Sequence, residues 1–278
     1  MGGLDGKVAV ISGAARGQGR SHAIRLASEG ADIIALDICA DIPTMDYPNA
    51  SKADLEETVR QVEALDRRIV ASATDVRDAR AVKDAIDAGA QTLGRIDIVL
   101  PQAGIVRYAP DSSWEDKAAS WADVIGTNVT GYFHVLEAAL PHVVAGGRGG
   151  AVVLTGSTAA TRPTAMTNAA GFAYVAAKHG VVGLMKTYAL TYAKDNIRFN
   201  VVHPTGVASG MTMNEAMGKL VEEASKGGSN WIAESTNLLD VPMVQPDDIT
   251  DAVAFLVSDR AKWITGTEIK VDAGFSLK

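Results

Sequence analysis

The segment Lys7-Val8-Ala9-Val10-Ile11-Ser12-Gly13-Ala14-Ala15-Arg16-Gly17-Gln18-Gly19 decides the fold. Its first half is a short apolar run, as expected of a strand buried on both faces. Glycines end the run, and from about Arg20 to Glu29 the chain carries Ala23, Leu26 and Ala27 at helical spacing. A second apolar run, Ala31 to Asp37, completes a βαβ unit. Glycines in its first turn let backbone pass close to a pyrophosphate, and a helix N-terminus stabilises the anion. The spacing Gly-x-x-x-Gly-x-Gly departs from the usual Gly-x-Gly-x-x-Gly. Its place between strand and helix is nevertheless the context that supports a dinucleotide turn built from Gly13, Arg16, Gly17, Gln18 and Gly19.

Asp37 closes the second strand, and Ile38 follows it. A carboxylate there accepts hydrogen bonds from an adenosine ribose and repels a 2′-phosphate, which favours NAD over NADP. Arg16 is a counter-signal, because a cation in the glycine turn can meet a 2′-phosphate. Asp37 weighs more, since its charge would lie beside the 2′ oxygen.

The same grammar continues along the chain. Residues 38–50 hold two prolines and no period, and read as an irregular insertion over the adenosine side. Ser51 is a plausible cap for a helix bearing Leu55, Val59 and Val62. Arg68 to Ala73 and Ile96 to Leu100 read as strands, the first ending near Asp75-Val76, the second in Pro101-Gln102-Ala103-Gly104. Between them Asp78 caps a helix with Val82, Ile86 and Leu93. Trp121 to Val144 reads as mostly helical, with Asn128 inside it. Ile197 to Val202 is a strand broken by His203-Pro204-Thr205-Gly206-Val207, Pro246 opens a helix running to Ser258, and Gly266 to Val271 is the last strand. Residues 208–245 carry Met211, Met213, Met217 and Trp231 and read as a pliable apolar lid. With no linker or repeat, one α/β domain over 1–278 is expected. It should be a Rossmann-type doubly wound parallel sheet of about seven strands with helices on both faces and ligands at the strand C-termini.

A candidate chemical centre lies between Ala151 and Leu184. The run Ala151-Val152-Val153-Leu154 reads as a buried strand ending at Thr155-Gly156-Ser157. Tyr174 and Lys178 lie four apart, on one face of the next helix. A free Tyr has a pKa of ~10, and a nearby cation favours its phenolate. Ser157 can hydrogen-bond a substrate oxygen and hold it against the phenol. The group can take a proton from an alcohol or give one to a carbonyl. It cannot store two electrons, so a redox cofactor must.

Composition narrows the alternatives. The chain has 278 residues, a formal net charge of −7 and no run of Lys or Arg, so nucleic acid and anionic membranes are unexpected partners. The single cysteine, Cys39, excludes an intrachain disulfide and suits a reducing, cytoplasmic compartment. No basic signal-peptide segment opens the chain, no apolar run is long enough to span a bilayer, and no metal site is expected.

The ordered set resembles the short-chain dehydrogenase/reductase family over nearly the whole chain. It consists of the turn Gly13–Gly19, the Asp75-Val76 pair, Asn128, Ser157, Tyr174-x-x-x-Lys178 and Pro204-Thr-Gly-Val207. The resemblance implies that Tyr174 is the general acid/base. Lys178 would lower its pKa and bind the nicotinamide ribose, Ser157 would orient the substrate oxygen, and Asn128 would hold a water in a proton relay. Asp75 and Val76 would flank the adenine, and Val207 would contact the nicotinamide carboxamide. Pro101-Gln102 stands where the family has Asn-Asn, so backbone contacts from Gln102, Ala103 and Gly104 are expected to survive rather than side-chain ones. The Ser157–Tyr174 interval is long, which predicts a bulge over 161–170 near the substrate.

Finer phrases resemble the carveol-dehydrogenase-like, mycofactocin-dependent enzymes of actinobacteria. These are Gly13-Ala-Ala-Arg-Gly-Gln-Gly-Arg-Ser-His22, Tyr174-Val-Ala-Ala-Lys-His-Gly180, Val202-His-Pro-Thr-Gly206 and the insertion after Asp37. That resemblance implies an NAD-dependent dehydrogenase for an apolar, terpene-like secondary alcohol or its ketone. It also implies NAD held rather than exchanged, mycofactocin as electron carrier, and a homotetramer. An ordinary carbonyl reductase or alcohol dehydrogenase with exchangeable NAD(H), and a non-catalytic nucleotide sensor, are the alternatives.

Overall fold

A computed structural model describes residues 3–226 and 236–278. Trp231 lies outside the described residues. Seven parallel strands form one sheet in the order β3-β2-β1-β4-β5-β6-β7. They are β1 (Val8–Ser12), β2 (Asp32–Asp37), β3 (Ile69–Ala73), β4 (Ile98–Leu100), β5 (Gly150–Thr155), β6 (Ile197–Pro204) and β7 (Thr267–Val271). The helices are α1 (Gly17–Ser28), α2 (Lys52–Glu63), α3 (Ala79–Leu93), α4 (Trp114–Ile125), α5 (Gly131–Gly146), α6 (Ala169–Thr191), α7 (Glu215–Lys226) and α8 (Pro246–Val257).

The sheet is apolar on both sides, which is why its strands do not alternate in sequence. Ala9 and Ile11 join a core with Leu26 of α1 and Val253 of α8. Val8 and Val10, one residue out of phase, join a second core with Ile86 of α3, Leu136 of α5 and Met185 of α6. β1 pairs with β2 on one edge and β4 on the other. That reversal of strand order opens a crevice at the strand C-termini.

Three boundaries differ from the sequence reading. α1 begins at Gly17, not near Arg20, so glycine-rich backbone forms its first turn. The long helix begins at Trp114, not Trp121, because Ser113 caps it by accepting from the Asp116 N–H. Between α4 and α5 the rod continues as a π turn, Gly126–Thr130, which contains Asn128. The segment read as a lid contains α7, and Val207 pairs with Val244 at its base. Among the described residues no helix is long and apolar enough to cross a membrane, and no cluster of His, Cys, Asp or Glu is arranged to hold a metal.

Candidate active site

Two cavities adjoin at the C-terminal edge of the sheet. The smaller, about 140 Å³, is bounded by the glycine turn (Gly13, Arg16, Gly17, Gln18, Gly19), Asp37, Ile38, Asp75, Val76, Gln102, Ala103 and Gly104. The larger, about 480 Å³, is bounded by Ser157, Tyr174, Lys178 and the run Pro204, Thr205, Gly206 and Val207. Gln18, Gln102, Gly104, Ser209 and Met211 line both. Every candidate residue therefore reaches one cavity or the other except Asn128.

Asn128 is fully buried behind the wall. Its Oδ1 accepts from the Ile105 N–H at 2.8 Å and its Nδ2 donates to the Ile105 carbonyl at 2.8 Å. The side chain thus clamps the segment after β4.

The smaller cavity fits a dinucleotide on two grounds. Gly13 has φ +69°, and a Cβ there would lie 2.8 Å from Ala103 Cα, so only glycine lets the ends of β1 and β4 approach this closely. The buried Gln18 Oε1 and Thr127 Oγ1 belong to residues that line this cavity and have no hydrogen-bond partner among the described residues, as groups that await a polar ligand would. Asp37 sits at the end of β2. Its carboxylate accepts from the Ala15 N–H at 3.0 Å and the Cys39 N–H at 3.3 Å, and burial pushes its pKa up. Asp75 is gripped by Arg77, with Nη2 at 2.7 Å.

Arg16 donates to the Pro48 carbonyl at 2.7 Å, tying the glycine turn to the 38–50 loop. That loop reaches further. Asp46 accepts from the Tyr108 N–H at 2.9 Å, the Tyr47 hydroxyl accepts from the Val106 N–H at 3.3 Å, and Tyr108 donates to the Met211 carbonyl at 2.8 Å. The insertion, the loop after β4 and the start of the lid are thus one hydrogen-bonded cover.

In the larger cavity the strand end of β5 and the face of α6 converge as their spacing requires. Lys178 is only 3% exposed. Its Nζ donates to the Thr155 carbonyl at 2.8 Å and lies 5.6 Å from the centre of the Tyr174 ring. Tyr132 of α5 donates to the same carbonyl at 3.2 Å. Burial lowers the Lys178 pKa to about 7. Burial also pushes the Tyr174 phenol up, opposed by its hydrogen bond with Ser157. The direction is opposite to that expected from Lys178. The reason is that the same desolvation that isolates the phenol also penalises the ammonium.

The apolar wall of the larger cavity holds Val106, Ala159, Met166, Met211 and Leu220. Residues 164–168 line it, within the expected 161–170 bulge. Of the methionine stripe Met211 lines both of these cavities, and Met213 is 64% exposed. Tyr47, Tyr108, Thr127, Tyr132 and Met166 escaped the sequence reading, and His203 entered it without a role of its own. Tyr47 and Tyr108 are aromatic residues in otherwise polar loops, and that was the available signal.

The chain belongs to the short-chain dehydrogenase/reductase family. Residues 13–276 match the family described as enoyl-(acyl carrier protein) reductase. It is 42% identical to the (-)-trans-carveol dehydrogenase of Rhodococcus erythropolis over 99% of both chains. The crystal structure of carveol dehydrogenase from Mycobacterium avium in complex with NAD superposes with a TM-score of 0.90, at 44% identity and covering 100% of both chains. A short chain dehydrogenase from Mycobacterium paratuberculosis bound to NAD gives a TM-score of 0.90 at 40% identity, again over 100% of both chains.

Proposed function

We propose that this protein is an NAD-dependent alcohol dehydrogenase that interconverts an apolar, cyclic, terpene-like secondary alcohol and its ketone. The observation that carries the reading is the placement of Ser157, Tyr174 and Lys178 on the wall of an apolar cavity that adjoins a glycine-lined one. Asp37 in the smaller cavity supports NAD over NADP. NAD bound there would supply the two-electron acceptor for hydride from the carbinol carbon. Ser157 orients the substrate oxygen, and Tyr174 takes its proton in oxidation or returns it in reduction. Lys178, when protonated, favours the phenolate and offers donors to a ribose.

The bonds that join the 38–50 loop to Arg16, Val106 and Tyr108 support a cofactor that is held rather than exchanged, with an external carrier such as mycofactocin collecting the electrons. A homotetramer fits the family resemblance and the exposed Trp114 of α4 and Phe172 and Leu190 of α6. A reducing cytoplasmic compartment suits the single cysteine.

The deciding experiment is to purify the protein without added nucleotide, denature it and identify any released dinucleotide by mass. Stoichiometric NAD or NADH is the expected result, with turnover of cyclic secondary alcohols seen only when an artificial electron acceptor is present. An empty protein that reduces added NAD freely would refute the retained cofactor while keeping the dehydrogenase. NADP in place of NAD would overturn the role given to Asp37.

A further inference from the structure

Behind Ser157 lies a buried histidine that the chemistry above does not use. His203, near the end of β6, has no exposed surface. Its Nδ1 is 3.1 Å from the Ser157 backbone nitrogen and 2.8 Å from the Ser157 carbonyl oxygen. Its Nε2 is 3.1 Å from Glu268 Oε2 on β7, and Glu268 Oε1 is 2.9 Å from Lys186 Nζ on α6. Gly156 makes room for this arrangement, since a Cβ there would lie 2.5 Å from His203 Nδ1. A side chain at 156 would drive the imidazole off the Ser157 peptide.

The charged groups acting on the ring are Glu268 from β7 and Lys178 from α6, and Lys186 of α6 reaches it only through Glu268. Burial, with a smaller push from Lys178, lowers the His203 pKa against the pull of Ser157 and Glu268. Because the Glu268 carboxylate can only accept, Nε2 carries a proton toward it. Nε2–H donates to Glu268, and Nδ1 meets the Ser157 backbone on both sides, 3.1 Å from its N–H as acceptor and 2.8 Å from its carbonyl as donor. On the other side, Ser157 Oγ accepts from the Ala159 N–H at 3.1 Å. The serine is thus pinned at its peptide and at its hydroxyl oxygen, which leaves its proton to point toward the Tyr174 side.

We propose that His203, oriented by Glu268 and Lys186, is a positioning residue for Ser157, fixing the direction in which the serine hydroxyl meets the substrate oxygen. This rests on the dehydrogenase reading of the same site. Nothing about the ring touches substrate, so its effect must pass through the serine.

A double-mutant cycle tests it, with kcat, KM, nucleotide affinity and Tm measured on each purified variant. His203→Ala should lower kcat roughly tenfold with nucleotide affinity unchanged. His203→Asn, whose Oδ1 can accept the Ser157 N–H, should recover most of that loss. In a Ser157→Ala background His203→Ala should cost nothing further. If His203→Ala does not fold, His203→Asn and Glu268→Ala complete the cycle, and Glu268→Ala should likewise lose its effect once Ser157 is gone. Equal losses in both backgrounds, or a lower Tm with unchanged kcat, would overturn the proposal alone. Full turnover by Ser157→Ala would overturn the dehydrogenase reading and this proposal with it.

Discussion

The rings of Tyr47 and Tyr108 pack against each other with centroids 6.3 Å apart, joining the 38–50 insertion to the loop after β4. Tyr108 in turn bonds to Met211, so the pair links the cover of the small cavity to the entrance of the large one. Loss of an aromatic pair removes about 0.5–1.5 kcal/mol beyond the buried area. Tyr47→Ala should therefore release bound dinucleotide roughly tenfold faster than the unsubstituted protein. Exchange against isotopically labelled NAD measures this, and an unchanged rate would detach the insertion from cofactor retention.

Tyr174→Phe keeps the ring and removes the only phenol that bonds to Ser157. Turnover should fall by about 10²–10⁴, the usual weight of a general acid/base. Cofactor content by mass should stay as in the parent protein. A variant that kept both turnover and nucleotide would point to a nucleotide sensor with incidental activity.

Asp37→Asn keeps an acceptor for the Ala15 N–H but removes the charge beside the cavity. The ratio of NADP to NAD affinity should rise by about tenfold or more, the effect of deleting one close repulsion. Calorimetric titration of nucleotide-stripped protein with each cofactor gives the ratio directly.

His22 of α1 is 1% exposed, with Nδ1 2.7 Å from Thr250 Oγ1 of α8. Burial lowers its pKa from 6.5 to about 4. Because the folded value lies below the unfolded one, the unfolded chain takes up the proton first as pH falls. The contribution of His22 to stability is complete above about pH 6.5 and is lost on the way to pH 4, by roughly 3 kcal/mol. His22→Gln should flatten that part of the curve in urea titrations at about pH 4.5, 5.5 and 7, two values within the window of about 4 to 6.5 and one above it. An unchanged slope would mean that other groups carry the acid sensitivity.

The sheet was legible because parallel strands buried on both sides read as continuous apolar runs, as β1 and β5 do. Ser157, Tyr174 and Lys178 were legible because helical spacing and a strand end are local facts. The part played by His203 was not, since it depends on β6 lying between β5 and β7, so that positions 157, 203 and 268 meet. A histidine directly after Val201-Val202 in a buried strand was the only hint. The start of α4 at Trp114 was in fact written in Ser113-Trp114-Glu115-Asp116, a cap followed by acidic first-turn residues, but the polar sequence around it read as loop. The Asn128–Ile105 clamp was hidden for a different reason. It requires a π turn, and nothing in Gly126-Thr127-Asn128-Val129-Thr130 distinguishes that from an ordinary helical turn.

That turn sets the phase of the rod it interrupts. One surplus residue amounts to about 100° of helical rotation, so α4 and α5 obey two different helical wheels. Val124 points into the core by the first, while Tyr132 reaches Thr155 and Lys178 by the second. A single-residue deletion inside Gly126–Thr130 would return the rod to a plain α-helix with Val124 and Tyr132 still on their present faces, and would fall on the clamp between Asn128 and Ile105 instead. The surplus residue is thus held at the point where Asn128 meets the Ile105 backbone.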